Sequence, residues 1–269
     1  MARFIYERKN KVKLSFRLVN NLVFLDVLLN DHTKKLNFLF DSSFEETILS
    51  RKTLDKIGWD ELQVTRVRSE MGIVNQDIIE NASIVFREFR SIHHQISVWD
   101  IDLGNDLSGR PVDGILGFDW LQNNVITLDY EKKLITFQKQ QIFEPDLKSE
   151  CVPIEIKDKK PYIPVKLNGY FQTSALVDTG SSGQLYLIEE EGLKGEIATV
   201  QIGKYIMQTP YSVTDLDENF LDEGSHILGG GVLKRFVVTF NYSEKKLYLN
   251  KILPSFWIDL LKRFRLISQ

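Results

Sequence analysis

The chain has almost none of the residues from which disulfide frameworks and metal centres are built. Of its 269 residues one is cysteine, Cys151, and four are histidine. A lone cysteine excludes an internal disulfide, so stability must come from an apolar core rather than from covalent staples. His93 and His94 are adjacent, His32 and His226 are isolated, and none has the spacing of a zinc site. Neither a metal nor a cofactor is expected. Long hydrophobic runs are missing as well. No stretch reaches the roughly 18 apolar residues of a membrane span, and the start, Met1 to Arg8, has no signal-peptide core. Charge has no dominant sign, and a formal net charge of −3 offers no attraction to nucleic acid or an anionic membrane. The expected setting is cytoplasmic, with neither nucleic acid nor membrane as partner.

What the chain does have is a run of short apolar segments separated by turn residues, the pattern of an all-β protein. Leu22 to Leu29 runs into Asn30-Asp31, and Leu36 to Phe40 resumes beyond it. Tyr162 to Leu167 meets Asn168-Gly169, a strong hairpin signal, and Ala175 to Val177 follows. Helical pattern is sparse. Ser50 to Ile57, closed by Gly58, reads as a short helix, and helical turns are expected at Asp119 to Asn123 and Val232 to Arg235. After Pro254 and a capping Ser255, the apolar stripe Trp257, Leu260, Leu261, Phe264 and Ile267 predicts a C-terminal amphipathic helix. Its expected role is closure over a lobe, with docking to a partner or membrane surface as the sharper alternative. Turn-rich sequence near Gln138 to Cys151 divides the chain into an N-terminal lobe, 1–140, a C-terminal lobe, 141–253, and the helix, 254–269.

One motif set occurs twice. Phe40-Asp41-Ser42-Ser43 is followed by Gly114-Ile115-Leu116-Gly117 and then by Ile126 to Leu134. Val177-Asp178-Thr179-Gly180 is followed by His226-Ile227-Leu228-Gly229 and then by Val238 to Leu247. Gly117 and Gly229 are 229 − 117 = 112 positions apart, and Tyr130 and Tyr242 are again 242 − 130 = 112 apart. Such matched register points to an internal duplication. From aspartate to Leu-Gly the distance is 117 − 41 = 76 in the first copy and 229 − 178 = 51 in the second. The first half therefore carries an insertion of about 25 residues, a size that is often functional.

Each copy delivers an aspartate into a tight turn at the end of a strand. The neighbouring hydroxyl can lock the turn, and glycine allows close backbone approach. Two such turns brought together place two carboxylates in one pocket, where both cannot ionise and one proton is shared. The ionised member can take a proton from water while the protonated member donates to a carbonyl, which is amide hydrolysis without a metal.

On these residues the chain resembles the aspartic proteases, in the bilobed pepsin-like arrangement where each lobe supplies one Asp-Thr/Ser-Gly. Leu176 to Leu185 matches the family motif, and each Ile-Leu-Gly looks like the family's hydrophobic-hydrophobic-Gly element behind the active turn. Val112 to Leu121 is similar to the retropepsin-related bacterial members of the clan. The resemblance spans about residue 12 to 250. It implies a two-lobed fold of small β-barrels or sandwiches and an aspartic endopeptidase acting on a peptide or protein, as a monomer with both aspartates in one chain. Asp41 and Asp178 would be catalytic, Ser42, Ser43, Thr179 and Gly180 would support the turns, and Ile115, Leu116, Gly117, Ile227, Leu228 and Gly229 would thread behind them. The flap would lie between Val67 and Phe86, with Met71 and Gly72 as its tip, although no tyrosine stands there.

The first motif departs from the pattern. Ser43 stands where the family has glycine, and Phe44-Glu45-Glu46 stand where the second copy has Ser181-Ser182-Gly183. Acids pointing inward would disfavour ionisation of Asp41. Ser43 to Glu46 also fits a helix capping box, which would make Asp41 an ordinary turn residue. The alternative function is a peptide-binding module of the same fold that has lost the chemistry. Gly229-Gly230-Gly231 lacks the lysine of a phosphate loop and reads as backbone packing under the active turn. Asn81-Ala82-Ser83 and Asn241-Tyr242-Ser243 match glycosylation sequons by coincidence.

Overall fold

A computed structural model of the chain describes residues 11–30, 33–59, 63–69, 72–86, 89–92, 95–187, 196–214 and 225–252. The expected C-terminal helix, Met71 and the His93-His94 pair lie outside the described residues. The protein is mostly β, with three short α-helices and one 3-10 turn among the described residues. The hairpins form where the pattern puts them. Leu22–Leu29 pairs antiparallel with Leu36–Phe40, and Lys160–Leu167 pairs with Phe171–Val177. At the second hairpin's turn Asn168 and Gly169 have φ of 47° and 81°, the left-handed values that a two-residue hairpin of matching twist demands. The first-half helix is Arg51–Ile57, capped by Ser50 and ended by Gly58 at φ 68°, whose N–H returns to Asp55 and Leu54 carbonyls. The two later helical turns start earlier than expected, at Phe118–Leu121 and Gly230–Leu233. In each the Leu-Gly glycine is itself the start, because its carbonyl accepts the first helical N–H bonds.

The strands lie in three sheets. A ten-stranded sheet belongs to the first half and a seven-stranded sheet to the second. Their centres share one pattern. The aspartate strand Leu36–Phe40 runs parallel to Gly114–Leu116, which pairs antiparallel with Ile48–Ser50. In the second half Phe171–Val177 runs parallel to Ser225–Leu228, which pairs antiparallel with Leu185–Leu187. The first half's additional strands include the antiparallel hairpin Gln63–Ser69 and Gly72–Glu80, joined in the region expected for a flap. Gly72 opens the second of those strands.

The third sheet is six-stranded and takes strands from both halves. Its middle pair is Val125–Asp129 against Phe236–Asn241, antiparallel, with Thr127 opposite Thr239. Those two threonines are 112 positions apart, and their hydroxyls meet at 2.9 Å. Because Val125 faces Asn241 and Asp129 faces Val237, the register maps onto itself when each residue is exchanged for its 112-shifted counterpart. The pairing is that of a two-fold contact within one chain. One continuous apolar core runs through both halves, and Phe118 of the first meets Tyr242 of the second edge-on at 5.2 Å between ring centroids.

Candidate functional site

The two aspartate turns meet over this shared sheet. Asp41 follows Phe40 out of its strand, and its N–H is held by Leu116 O at 3.1 Å. Asp178 follows Val177, and its N–H is held by Leu228 O at 3.0 Å. The Ile-Leu-Gly strands thus anchor the backbone of both aspartates. Each glycine that ends these strands passes under a turn. A Cβ on Gly117 would run into the carbonyls of Glu46 and Phe44, and one on Gly229 into those of Gly183 and Ser181. Phe118 N–H bonds Phe44 O at 2.7 Å, and Gly230 N–H bonds Ser181 O at the same distance. Gly230 also abuts Asn21 O, so the glycine triplet is a close-packing element.

The turns are braced to each other through a reciprocal pair of hydroxyls. Thr179 Oγ1 donates to Phe40 O at 3.0 Å and accepts from Ser42 N–H at 2.9 Å. Ser42 Oγ donates to Val177 O at 2.6 Å and accepts from Thr179 N–H at 3.1 Å. Both side chains are fully buried, and the two residues are 137 positions apart. Each hydroxyl therefore satisfies backbone groups of the opposite half that water cannot reach.

Between the braces lie the carboxylates, both buried. Asp41 Oδ1 accepts from Ser43 N–H at 2.9 Å, Ser43 Oγ at 2.9 Å and Phe44 N–H at 3.1 Å. Asp178 Oδ1 accepts from Gly180 N–H at 2.8 Å, and the nearby Ser43 hydroxyl and the Gly180 and Ser181 N–H groups favour its charged form. Burial raises the pKa of Asp41, and the hydrogen bonds from Ser43 and Phe44 oppose that rise. Burial also raises Asp178, the negative charge of Asp41 raises it further, and together they push it up to about 7. Both carboxyls are therefore held above the ordinary carboxylate range, and the charge of one opposes ionisation of the other.

No helix starts at Ser43, so the capping-box alternative for this segment does not hold. The two glutamates after Phe44 have structural partners instead of pointing at Asp41. Glu46 accepts from Ser97 Oγ at 2.6 Å and Trp99 Nε1 at 3.0 Å, which ties the turn to the strand Gln95–Trp99. Glu45 pairs with Lys160 of the other half at 3.5 Å. Asn21 makes the matching reach in the opposite direction, donating to Ser182 O at 2.7 Å. Sequence reasoning passed over Asn21, Lys160 and the brace partners Phe40 and Val177. A signal existed for Asn21, because Asn20-Asn21 is a pair that tolerates the positive φ both residues adopt at their turn. Asn241 is fully buried, which removes it as a glycosylation acceptor. His226 is buried in the strand Ser225–Leu228 opposite Ala175, and burial pushes its pKa down to about 4. Among the described residues no group of His, Cys, Asp and Glu is arranged to hold a metal, and no helix is long and apolar enough to cross a membrane.

Neither the models of known protein families nor the curated proteins compared with this chain match it.

Proposed function

We propose that this chain is an aspartic peptidase-like protein of the two-lobed, pepsin-like kind, hydrolysing an extended peptide held between its halves. The observation that carries the reading is the reciprocal brace of Ser42 and Thr179, which joins the turns of two buried aspartates. The self-matching register at Thr127 and Thr239 supports origin by duplication.

In this reading Asp41 is the base and Asp178 the acid. Water attacks the peptide carbonyl carbon, giving one proton to the Asp41 carboxylate, while Asp178 gives its proton to the carbonyl oxygen. The tetrahedral diol then collapses: Asp41 passes its proton to the amide nitrogen, a diol hydroxyl returns a proton to Asp178, and the C–N bond breaks. Both carboxyls end as they began. Their buried surroundings strengthen the electrostatics at the developing charge. The hairpin of Gln63–Ser69 and Gly72–Glu80 would serve as the flap over the substrate.

The test is cleavage of a peptide library across the acid-to-neutral range by wild type, Asp178→Asn and Asp41→Asn. Cleavage that survives unchanged in Asp178→Asn rejects the mechanism. A second reading, a peptide-binding module without catalysis, is favoured by the Ser43 side chain at the glycine position. Peptide binding that ignores both substitutions, with no cleavage at any pH, would select it.

A further inference from the structure

In each turn the residue two places after the aspartate faces the carboxylate of the other turn. Gly180 makes this plain, since a Cβ there would overlap the Asp41 carboxylate. The corresponding place in the first turn holds a side chain. Ser43 is buried and its Oγ donates to Asp41 Oδ1 at 2.9 Å, while its place in the turn matches that of Gly180, whose Cβ position falls on the opposite carboxylate. A hydroxyl has one proton and two lone pairs. It can donate to ionised Asp41 and accept from protonated Asp178 at the same time. That is the hydrogen-bond circuit an attacking water would need, with the same two partners.

Building on the peptidase reading above, we propose that the Ser43 hydroxyl occupies the attacking water's position between Asp41 and Asp178, so that the site rests in a self-blocked state. While Ser43 bridges the pair, the base has spent a lone pair on a group that cannot hydrolyse the substrate. The acid has its proton directed at Ser43 instead of at a carbonyl. The neighbouring brace is untouched, because Ser42 and Thr179 bond through separate atoms. Ser43 is thus a positioning residue that withholds water, and rotation or removal of its side chain opens the site. Glycine at 43, the residue its counterpart has, leaves space for a water.

The experiment compares wild type, Ser43→Gly, Ser43→Ala and Ser43→Gly/Asp178→Asn for binding of two matched peptides. One carries a statine-type hydroxyl at the scissile position, and the other has methylene in its place. That hydroxyl must sit between the carboxylates, where Ser43 Oγ now lies. In Ser43→Gly the hydroxyl peptide is expected to bind at least roughly tenfold tighter than in wild type, the size of one hydrogen bond to a charged group. The methylene peptide should bind both proteins equally, and the gain should vanish in the double variant. Ser43→Ala, which folds without any backbone change, should recover part of the gain. If the hydroxyl peptide binds wild type and Ser43→Gly equally, yet loses affinity in the double variant, the occupancy proposal fails and the peptidase reading stands. If the hydroxyl confers no affinity in any variant, the paired-aspartate reading fails and takes this proposal with it.

Discussion

The Asp41 turn and the Asp178 turn are built on the same backbone plan, and beside the carboxylates they differ at the residue two places after the aspartate. Both aspartates are held by the Leu-Gly strand behind them, and both turns lend a hydroxyl to the other. The second turn keeps glycine beside its neighbour's carboxylate, while the first inserts Ser43. The consequence is electrostatic asymmetry. Asp41 has three hydrogen-bond donors on one oxygen, and at Asp178 the charge of Asp41 adds to burial in opposing ionisation. Under the proposed mechanism, acid and base roles would be divided by a residue next to the carboxylates, with the carboxylates themselves unchanged.

The sharpest way to break this division is Asp178→Asn. Peptide cleavage should fall by roughly a thousandfold, the weight of general acid catalysis, as measured by initial rates. The same variant tests the electrostatics without activity. A carboxyl whose folded pKa is raised from 3.8 to about 7 contributes stability that is fully present below the unfolded value and is lost as pH climbs through the folded value. Wild type should therefore lose stability relative to Asp178→Asn between pH near 4 and pH near 7. The difference is on the order of 4 kcal/mol when the whole shift is expressed. Denaturant titrations at both ends of that window measure it, and equal stability profiles would remove the proton from Asp178.

Next in size is Thr179→Ala. It leaves Ser42 N–H and Phe40 O without a partner in a buried place, a loss of about 3 kcal/mol. Thr179→Ser should restore most of it. Ser42→Ala is the mirror case, and the double alanine variant should cost less than the two single losses added, because they remove one network. A strictly additive result would show that the braces act separately.

Gly180→Ala should destabilise by about 2 kcal/mol, since the new Cβ meets the Asp41 carboxylate. Ser43→Ala, at the matching position, should change stability by less. The smallest effect belongs to the cross-half pair Lys160 and Glu45, whose glutamate is half exposed. Glu45→Gln should move the unfolding midpoint by less than about 1 kcal/mol and leave any pH dependence of Asp41 unaltered. A larger shift would mean that Glu45 helps set the first turn's charge.

Much of this was legible locally. The hairpin Leu22–Leu29 with Leu36–Phe40 was readable from two apolar runs around Asn30, and the capped helix from Ser50 and Gly58. Asn168-Gly169 announced its turn because few other residue pairs tolerate two successive positive φ values. The roles of Glu45 and Glu46 were not legible. Both could have faced Asp41, and their direction depends on Lys160, Ser97 and Trp99, which lie far along the chain. The six-stranded sheet was hidden for a similar reason. Apolar alternation at Val125–Asp129 and Phe236–Asn241 predicts strands without stating that they pair with each other.

The sequence by itself determined that two aspartate turns exist, each followed by its Leu-Gly strand, and that one has serine where the other has glycine. These are properties of residue type, local dihedral preference and spacing, all short-range. Only the tertiary structure decided that Ser42 and Thr179 brace each other across 137 positions and that Ser43 Oγ turns toward the Asp41 carboxylate. A hydroxyl's partner is whatever unsatisfied group the packed chain brings within reach, and that is settled only when the two halves close on one core.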